Sequence, residues 1–66
     1  MNRKIKQKTR AYMKREASDH VDLITGECCE TSLAEDAADA LDLYGPAPDF
    51  EIPEWVFELA FEVANA

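Results

Sequence analysis

The sequence predicts an all-α protein, a small three-helix bundle formed by one helical domain over residues 1–66. Three observations predict it: an opening segment of helix formers without glycine or proline, a central capping motif followed by Gly-Pro, and a strongly apolar segment behind a proline. All seven Lys and Arg residues lie within the first fifteen positions, and the fourteen acids begin at Glu16. The domain therefore has a basic N-terminal helix and an acidic body.

The first helix is predicted from Arg3 to about Ala17. Apolar residues recur along one side from Ile5 to Met13, which gives a narrow stripe on a cationic helix. We expect helical structure to about His20, with a break at Ser18–Asp19 because either residue is a good cap.

The second helix is predicted from Leu33 to Tyr44. Ser32 and Glu35 have the spacing of a capping box, and Gly45–Pro46 is a typical terminator. At 100° per residue, one side of this helix carries Leu33, Ala37, Ala40, Leu41 and Tyr44. The other side carries Glu35, Asp36, Asp39 and Asp42.

The third helix is predicted to start at Pro53, which suits the first helical position. Apolar residues between Trp55 and Ala64 cover about two-thirds of its circumference. The remaining arc holds Glu54, Glu58 and Glu62. We expect this helix to be the core element, packed by both others.

The segment between the first two helices permits a second fold. Val21, Leu23 and Thr25 alternate with polar residues before Gly26, as in a hairpin strand. An α+β miniature with a short hairpin near residues 21–29 is therefore the alternative fold class.

Length and composition exclude several classes of protein. A chain of 66 residues is too short for a multidomain enzyme, and 47% hydrophobic residues is too many for a disordered acidic chain. The sequence has no apolar run of about eighteen residues and no apolar stretch typical of a secretory signal behind its basic start. We expect a cytoplasmic protein of the host cell that does not bind membranes.

The thiols and the single histidine give no sign of catalysis or metal binding. Cys28 and Cys29 are adjacent, which rarely suits an ordinary disulfide, and a metal site built with His20 would lack a C-x-x-C motif. A nucleophile pair of Cys28 and His20 would lack a third, orienting group. We therefore predict no enzyme activity, no metal and no cofactor, with one cysteine in the core and its neighbour partly exposed.

The acidic rows are the strongest functional signal. Glu54, Glu58 and Glu62 stand at i, i+4 and i+8, which places like charges about 6 Å apart along one line. Rows of this spacing approximate the phosphates of a nucleic-acid strand, so they suit a basic groove on a protein. The predicted partner-binding residues are Glu35, Asp36, Asp39, Asp42, Glu54, Glu58 and Glu62.

The basic segment Arg3–Arg15 allows two interpretations. Its cations contact phosphates directly, or the helix lies against the acidic body and neutralises part of it. The second is favoured because a body of −14 attracts its own +7 segment.

The size, the acid-only stretch from Glu16 to Glu62 and the helical pattern resemble small acidic proteins that phages encode, notably anti-CRISPR proteins of the DNA-mimic type. The resemblance implies stoichiometric inhibition, in which the protein docks on the nucleic-acid-binding surface of a CRISPR effector and keeps the target duplex out. The basic N-terminus departs from that pattern and either holds the fold together or contacts an acidic patch on the partner.

Two other functions remain open. One is a small regulatory protein that binds nucleic acid through its basic N-terminal helix, although the leading hypothesis expects no direct nucleic-acid binding. The other is a structural oligomerisation module, favoured by the apolar excess around Trp55, Phe57 and Phe61. We expect a monomer or a weak dimer.

Overall fold

The structure, a computed structural model, describes residues 3–66. It contains α1 (Arg3–Glu16), a 3₁₀ turn (Ala17–His20), α2 (Glu30–Leu41) and α3 (Glu54–Ala64). Each α-helix packs against the other two, and α2 and α3 share the most extensive contact. The predicted all-α three-helix bundle is confirmed, and the described residues form no strand.

The core lies where the three helices meet. Met13 of α1, Leu33 of α2, and Val56 and Leu59 of α3 are at most 2% exposed. The alanines Ala34, Ala37, Ala38 and Ala60 are also fully buried. Their small side chains let α2 and α3 approach closely. A short chain can therefore form a packed core although half of its buried hydrophobic residues are alanines.

α1 keeps its predicted stripe at Thr9 and Met13 and departs from it at the N-terminal end, and helical structure extends to His20 as expected. Thr9 is fully buried and donates its Oγ1 hydrogen to the carbonyl of Ile5 at 2.7 Å, whereas Ile5 itself is 43% exposed. The α-helix ends at Glu16, and the chain continues to His20 as a 3₁₀ turn without a side-chain cap from Ser18 or Asp19. The 3₁₀ turn is tighter than an α-helical turn and places the His20 ring against α2, where it is hydrogen bonded to Ser32 and Asp36.

The predicted start of α2 and its capping box are wrong. The helix begins at Glu30, and Cys29 is the N-cap, with its Sγ accepting a hydrogen bond from the Ser32 amide at 3.4 Å. Ser32 lies inside the helix and its Oγ is 2.6 Å from Nδ1 of His20. The serine hydroxyl has a tertiary partner in place of the capping role that its spacing to Glu35 predicted.

The predicted end of α2 at Tyr44 is also wrong. The helix ends at Leu41, and Asp42 takes the left-handed conformation (φ 54°) that was expected of Gly45. Aspartate adopts this conformation more readily than most residues, and its amide donates to the carbonyl of Ala38. The buried stripe consequently differs from the predicted one: Ala34 and Ala38 are buried, Ala40 is exposed, and Tyr44 lies beyond the helix.

Gly45 has a different role in the connector to α3. Its amide donates to the carbonyl of Glu51 at 2.7 Å, and a Cβ at Gly45 would lie 3.2 Å from that oxygen. Glycine therefore lets the two ends of the connector pair closely. Between them Phe50 has a positive φ of 48° and is 59% exposed.

α3 begins at Glu54, with Pro53 as its N-cap instead of its first helical residue. Val56, Leu59 and Ala60 form its buried face. The helix packs against both others as predicted, but its apolar arc is wider than the surface that α1 and α2 cover. Exposed aromatic side chains remain at Phe57 (39%) and Phe61 (57%).

The segment from Val21 to Cys28 forms a tight turn. It holds one isolated antiparallel bridge, Val21 to Cys28, flanked by a hydrogen bond from the Cys29 amide to the His20 carbonyl at 2.8 Å. A single bridge is not a pair of strands, so the α+β alternative is wrong. Inside the bridge the chain turns at once, with the Gly26 amide bonded to the Asp22 carbonyl, and beyond it the chain enters the helical segments at His20 and Glu30.

Candidate functional site

The acids predicted to bind a partner lie on α2, at its C-cap and on α3. Six of the seven are exposed, and the seventh, Asp36, is half-buried. The exposed six are Glu35, Asp39, Asp42, Glu54, Glu58 and Glu62. Most of the predicted surface is therefore open to solvent, while one member has a place in the interior.

Asp36 is hydrogen bonded through both carboxylate oxygens. Tyr12 donates its hydroxyl to Oδ1 at 2.9 Å, and Nε2 of His20 lies 2.8 Å from Oδ2. The other ring nitrogen of His20 is 2.6 Å from Oγ of Ser32. This polar network (Tyr12, His20, Ser32, Asp36) joins α1, the 3₁₀ turn and α2.

The network changes the acidity of its members. The hydrogen bond from His20, followed by that from Tyr12, holds the pKa of Asp36 below its ordinary value, because both favour the carboxylate, and partial burial opposes them. The same bond to Asp36 raises the pKa of Tyr12, because the hydroxyl must stay protonated to donate it. Asp36 is thus an ionised residue that holds the fold together.

Two other predicted residues have partners within the molecule. Glu62 accepts a hydrogen bond from Arg10 Nη2 at 2.9 Å, an exposed ion pair that joins α3 to α1. Asp39 accepts the Tyr44 hydroxyl at 2.9 Å, which raises the pKa of that tyrosine. Both carboxylates remain exposed, so these contacts orient them without removing them from the surface.

The acidic row on α3 is interleaved with aromatic side chains. Glu54 and Phe57, like Glu58 and Phe61, are three residues apart and lie on the same outer face of the helix. Phe57 and Phe61 are 39% and 57% exposed. The surface of α3 therefore presents carboxylates and aromatic rings together, which the prediction of an acid-only arc missed.

The cations of α1 remain at the surface although the helix packs into the bundle. Its buried residues are Thr9 and Met13, and its exposed basic side chains are Arg3, Lys4, Lys6, Lys8, Lys14 and Arg15. Arg15 also lies over the Tyr12 ring, 5.3 Å from its centroid, and pairs with neighbouring Glu16 at 3.3 Å. α1 thus packs against the acidic body and still presents basic groups to solvent.

The cysteines are both free and differ in environment. Cys28 is half-buried against the core, and burial raises the pKa of its thiol, with the neighbouring Cys29 and Glu30 adding to the effect. Cys29 is exposed at the start of α2. Within residues 3–66 there is no group of three or more histidine, cysteine or acidic residues placed to hold a metal ion.

Sequence reasoning missed the polar network because its members are up to 24 residues apart in the chain. One local signal pointed toward it, since Ser32 and Asp36 are four residues apart and share a helix face. It also missed the exposure of Leu23 and Ile24, two apolar residues in the segment between the first two helices.

None of the helices in the described range is long and apolar enough to cross a membrane. Comparison with protein-family models, with curated proteins and with solved structures finds no match to this chain.

Proposed function

We propose that this protein is a non-enzymatic inhibitor that binds a basic, nucleic-acid-binding surface of a host-defence effector and blocks access of target DNA. The acidic faces of α2 and α3 are the binding surface, in the manner of an anti-CRISPR DNA mimic. The proposal rests on one observation: the five carboxylates Glu35, Asp39, Asp42, Glu54 and Glu58 are exposed on two adjacent helices that carry no Lys or Arg.

Charge separation supports this function physically. Every Lys and Arg of the chain lies on α1, so none interleaves with the acids along α2 and α3. Arg10 reaches Glu62 from α1, and Glu62 is therefore left out of the five carboxylates. A field of one sign steers the protein toward a positive groove and speeds association. Phe57 and Phe61 add exposed aromatic rings beside Glu54 and Glu58, which suits a protein partner, since aromatic residues including Phe are enriched at protein–protein interfaces.

The roles of the acids follow from their contacts. Glu35, Glu54 and Glu58 are the best residues to reverse, because they are exposed and lie outside the contacts that tie Asp39 to Tyr44 and Glu62 to Arg10. Asp36 is unsuitable for that test because its loss would damage the polar network.

The experiment compares two triple variants with equal net charge. Glu35→Lys, Glu54→Lys and Glu58→Lys together change the formal charge from −7 to −1, since each reversal adds two units. The matched control reverses Asp19, Asp49 and Glu51, which are exposed acids outside α2 and α3 and give the same −1.

The readout is the plating efficiency of a CRISPR-targeted phage on bacteria that carry different CRISPR types and express each variant. We expect the wild-type chain and the control to restore plating on one type, and the helix variant to fail. Equal activity of the helix variant would refute binding through the acidic faces. Loss of activity in both variants would show that net charge, and not this surface, carries the effect.

A second candidate function is direct nucleic-acid binding through α1, favoured by its six exposed basic side chains. A gel-shift assay at low salt with duplex DNA distinguishes the two. A mimic should leave free DNA unretarded, whereas an α1-dependent binder should retard it and lose the effect when Lys6 and Lys14 are changed to Glu.

A further inference from the structure

The most exposed large apolar side chains in the described part of the chain lie at the tip of the turn 22–27. Leu23 is 98% exposed and Ile24 is 94% exposed. Exposed aliphatic side chains side by side are a feature of binding surfaces, because leaving them in water is unfavourable.

The turn has a defined shape. The Asp22 carboxylate accepts the Ile24 amide at 2.8 Å, the Gly26 amide donates to the Asp22 carbonyl at 2.7 Å, and Gly26 takes a φ of 77°. The Asp22 amide donates in turn to the carbonyl of Glu27 at 2.8 Å. A partner therefore meets a preformed apolar tip, and little ordering entropy is lost on binding.

The charges around the tip are all negative. Asp19, Asp22 and Glu27 are exposed beside it, and the nearest Lys or Arg in the sequence is Arg15. The surface that fits this tip is an apolar pocket with cations at its edge.

The same molecule carries such a surface at the opposite end of the α1–α2 pair. An open groove of about 370 Å³ lies between the N-terminal half of α1 and the end of α2. Its lining includes Ile5, Leu41, Leu43 and Lys8, together with the acid Asp42. The lining itself holds one cation, Lys8, and one acid, Asp42. The exposed cations Arg3 and Lys6 lie outside the lining on the same half of α1, so the helix that borders the groove is basic.

The tip and the groove are at opposite ends because α1 and α2 are antiparallel. Tyr12 meets Asp36 near the middle of the pair, and His20 meets Ser32 near the turn. A two-fold axis near the middle of the pair exchanges its two ends, so it brings the tip of each copy to the groove end of the other. Such a reciprocal contact closes on itself, so association stops at two copies.

We propose that the Leu23–Ile24 tip docks in the Ile5–Leu41–Leu43 groove of a second copy, which forms a closed dimer. The negative tip meets the lysines of α1, so local charges attract although each copy carries −7 overall. The dimer covers Lys8 of α1 and also Asp42, one of the carboxylates of the proposed binding surface, and it leaves the acidic outer face of α3 free on both copies. The dimer forms without the partner protein proposed above, so a failed test of one proposal leaves the other proposal standing.

Sedimentation equilibrium under reducing conditions tests the dimer, since a reductant prevents disulfides through exposed Cys29. We expect a monomer–dimer equilibrium for the wild-type chain. Changing Leu23→Ser and Ile24→Ser should weaken it at least about tenfold, because these residues form the centre of the contact. Lys8→Glu should weaken it as well, by placing a carboxylate opposite the acidic tip.

The matched control is Phe57→Ser with Phe61→Ser, which removes two exposed apolar side chains from α3 and should leave the dimer unchanged. A mixture of the tip variant with Lys8→Glu should associate more tightly than either alone, because the mixed dimer regains one intact tip in one intact groove. Circular dichroism confirms that each variant is folded.

A chain that stays monomeric at every concentration overturns the proposal. So does a dimer that survives the tip variant and is lost in the α3 variant, or growth beyond two copies. Failure of the mixed variants to associate would refute the reciprocal arrangement.

Discussion

Nε2 of His20 lies 2.8 Å from Oδ2 of Asp36, which joins the end of the first helical segment to the middle of α2. The histidine is 14% exposed and the aspartate 33% exposed, so the pair is shielded from solvent more than an ordinary surface contact. Oδ1 of the same carboxylate accepts the Tyr12 hydroxyl. One side chain of α2 therefore fixes both α1 and the 3₁₀ turn.

Removing this carboxylate should destabilise the fold. Asp36→Ala leaves His20 and Tyr12 without their shared acceptor, and we expect a loss of about 1–3 kcal/mol in the free energy of unfolding. Urea denaturation followed by circular dichroism measures it. Asp39→Ala is the control, since it removes an exposed acid of the same helix and should cost much less. Equal losses in the two variants would contradict a special role for Asp36.

Acid should weaken the same contact. The pKa of Asp36 is lower in the folded chain than in the unfolded chain, so its stabilisation is present above the unfolded value of about 3.9 and is lost as pH falls through the folded value. We expect the unfolding free energy to drop faster below about pH 4 in the wild-type chain than in Asp36→Asn. Urea midpoints between neutral and acidic pH compare the two, and parallel curves would disprove the effect.

The two thiols should react at different rates. Cys29 is exposed, whereas Cys28 is half-buried with a raised pKa and lies 3.7 Å from the Ala17 carbonyl through its Sγ. Because the thiolate is the reactive form, iodoacetamide should label Cys29 first at pH 8. Peptide mass spectrometry over time identifies the labelled cysteine. Cys29→Ser is the control, in which only the slow labelling of Cys28 should remain. Faster labelling of Cys28 would contradict its placement against the core.

Core and surface apolar residues should differ sharply in their contribution to stability. Met13 is fully buried between α2 and α3, so Met13→Ala should lower the unfolding free energy by about 2–5 kcal/mol through lost burial and a residual cavity. Phe61→Ala removes a larger side chain that is 57% exposed, and it should cost much less. Thermal denaturation of both variants checks the order. A reversed order would mean that Phe61 is buried in solution.

The bundle was predictable because helix propensity and apolar periodicity act over short stretches of chain. The apolar arc from Val56 to Ala60 and the proline before α3 located that helix within one residue of its observed start. The ends of α2 were not predictable in this way. Ser32 and Gly45 carried strong local signals for its start and end, yet Cys29 and Asp42 occupy those positions.

The candidate surface was predictable in part for the same reason. Residue spacing along one helix places Glu54 and Glu58 on one face, and the structure leaves both exposed. Spacing carried no information on which acids have partners on another helix. Asp36 and Glu62 differ from their neighbours through contacts with Tyr12, His20 and Arg10, residues far away in the chain.

The sequence by itself determined the helical class, the segregation of all cations to the first helix and the acidic rows, because composition and periodicity are local properties. The tertiary structure alone decided that α1 packs through Thr9 and Met13 while its cations stay exposed, and that Asp36 belongs to the fold. It also decided that Leu23 and Ile24 project into solvent. These outcomes depend on which helices meet and at what register, since a side chain's burial and partners are set by its neighbours in space.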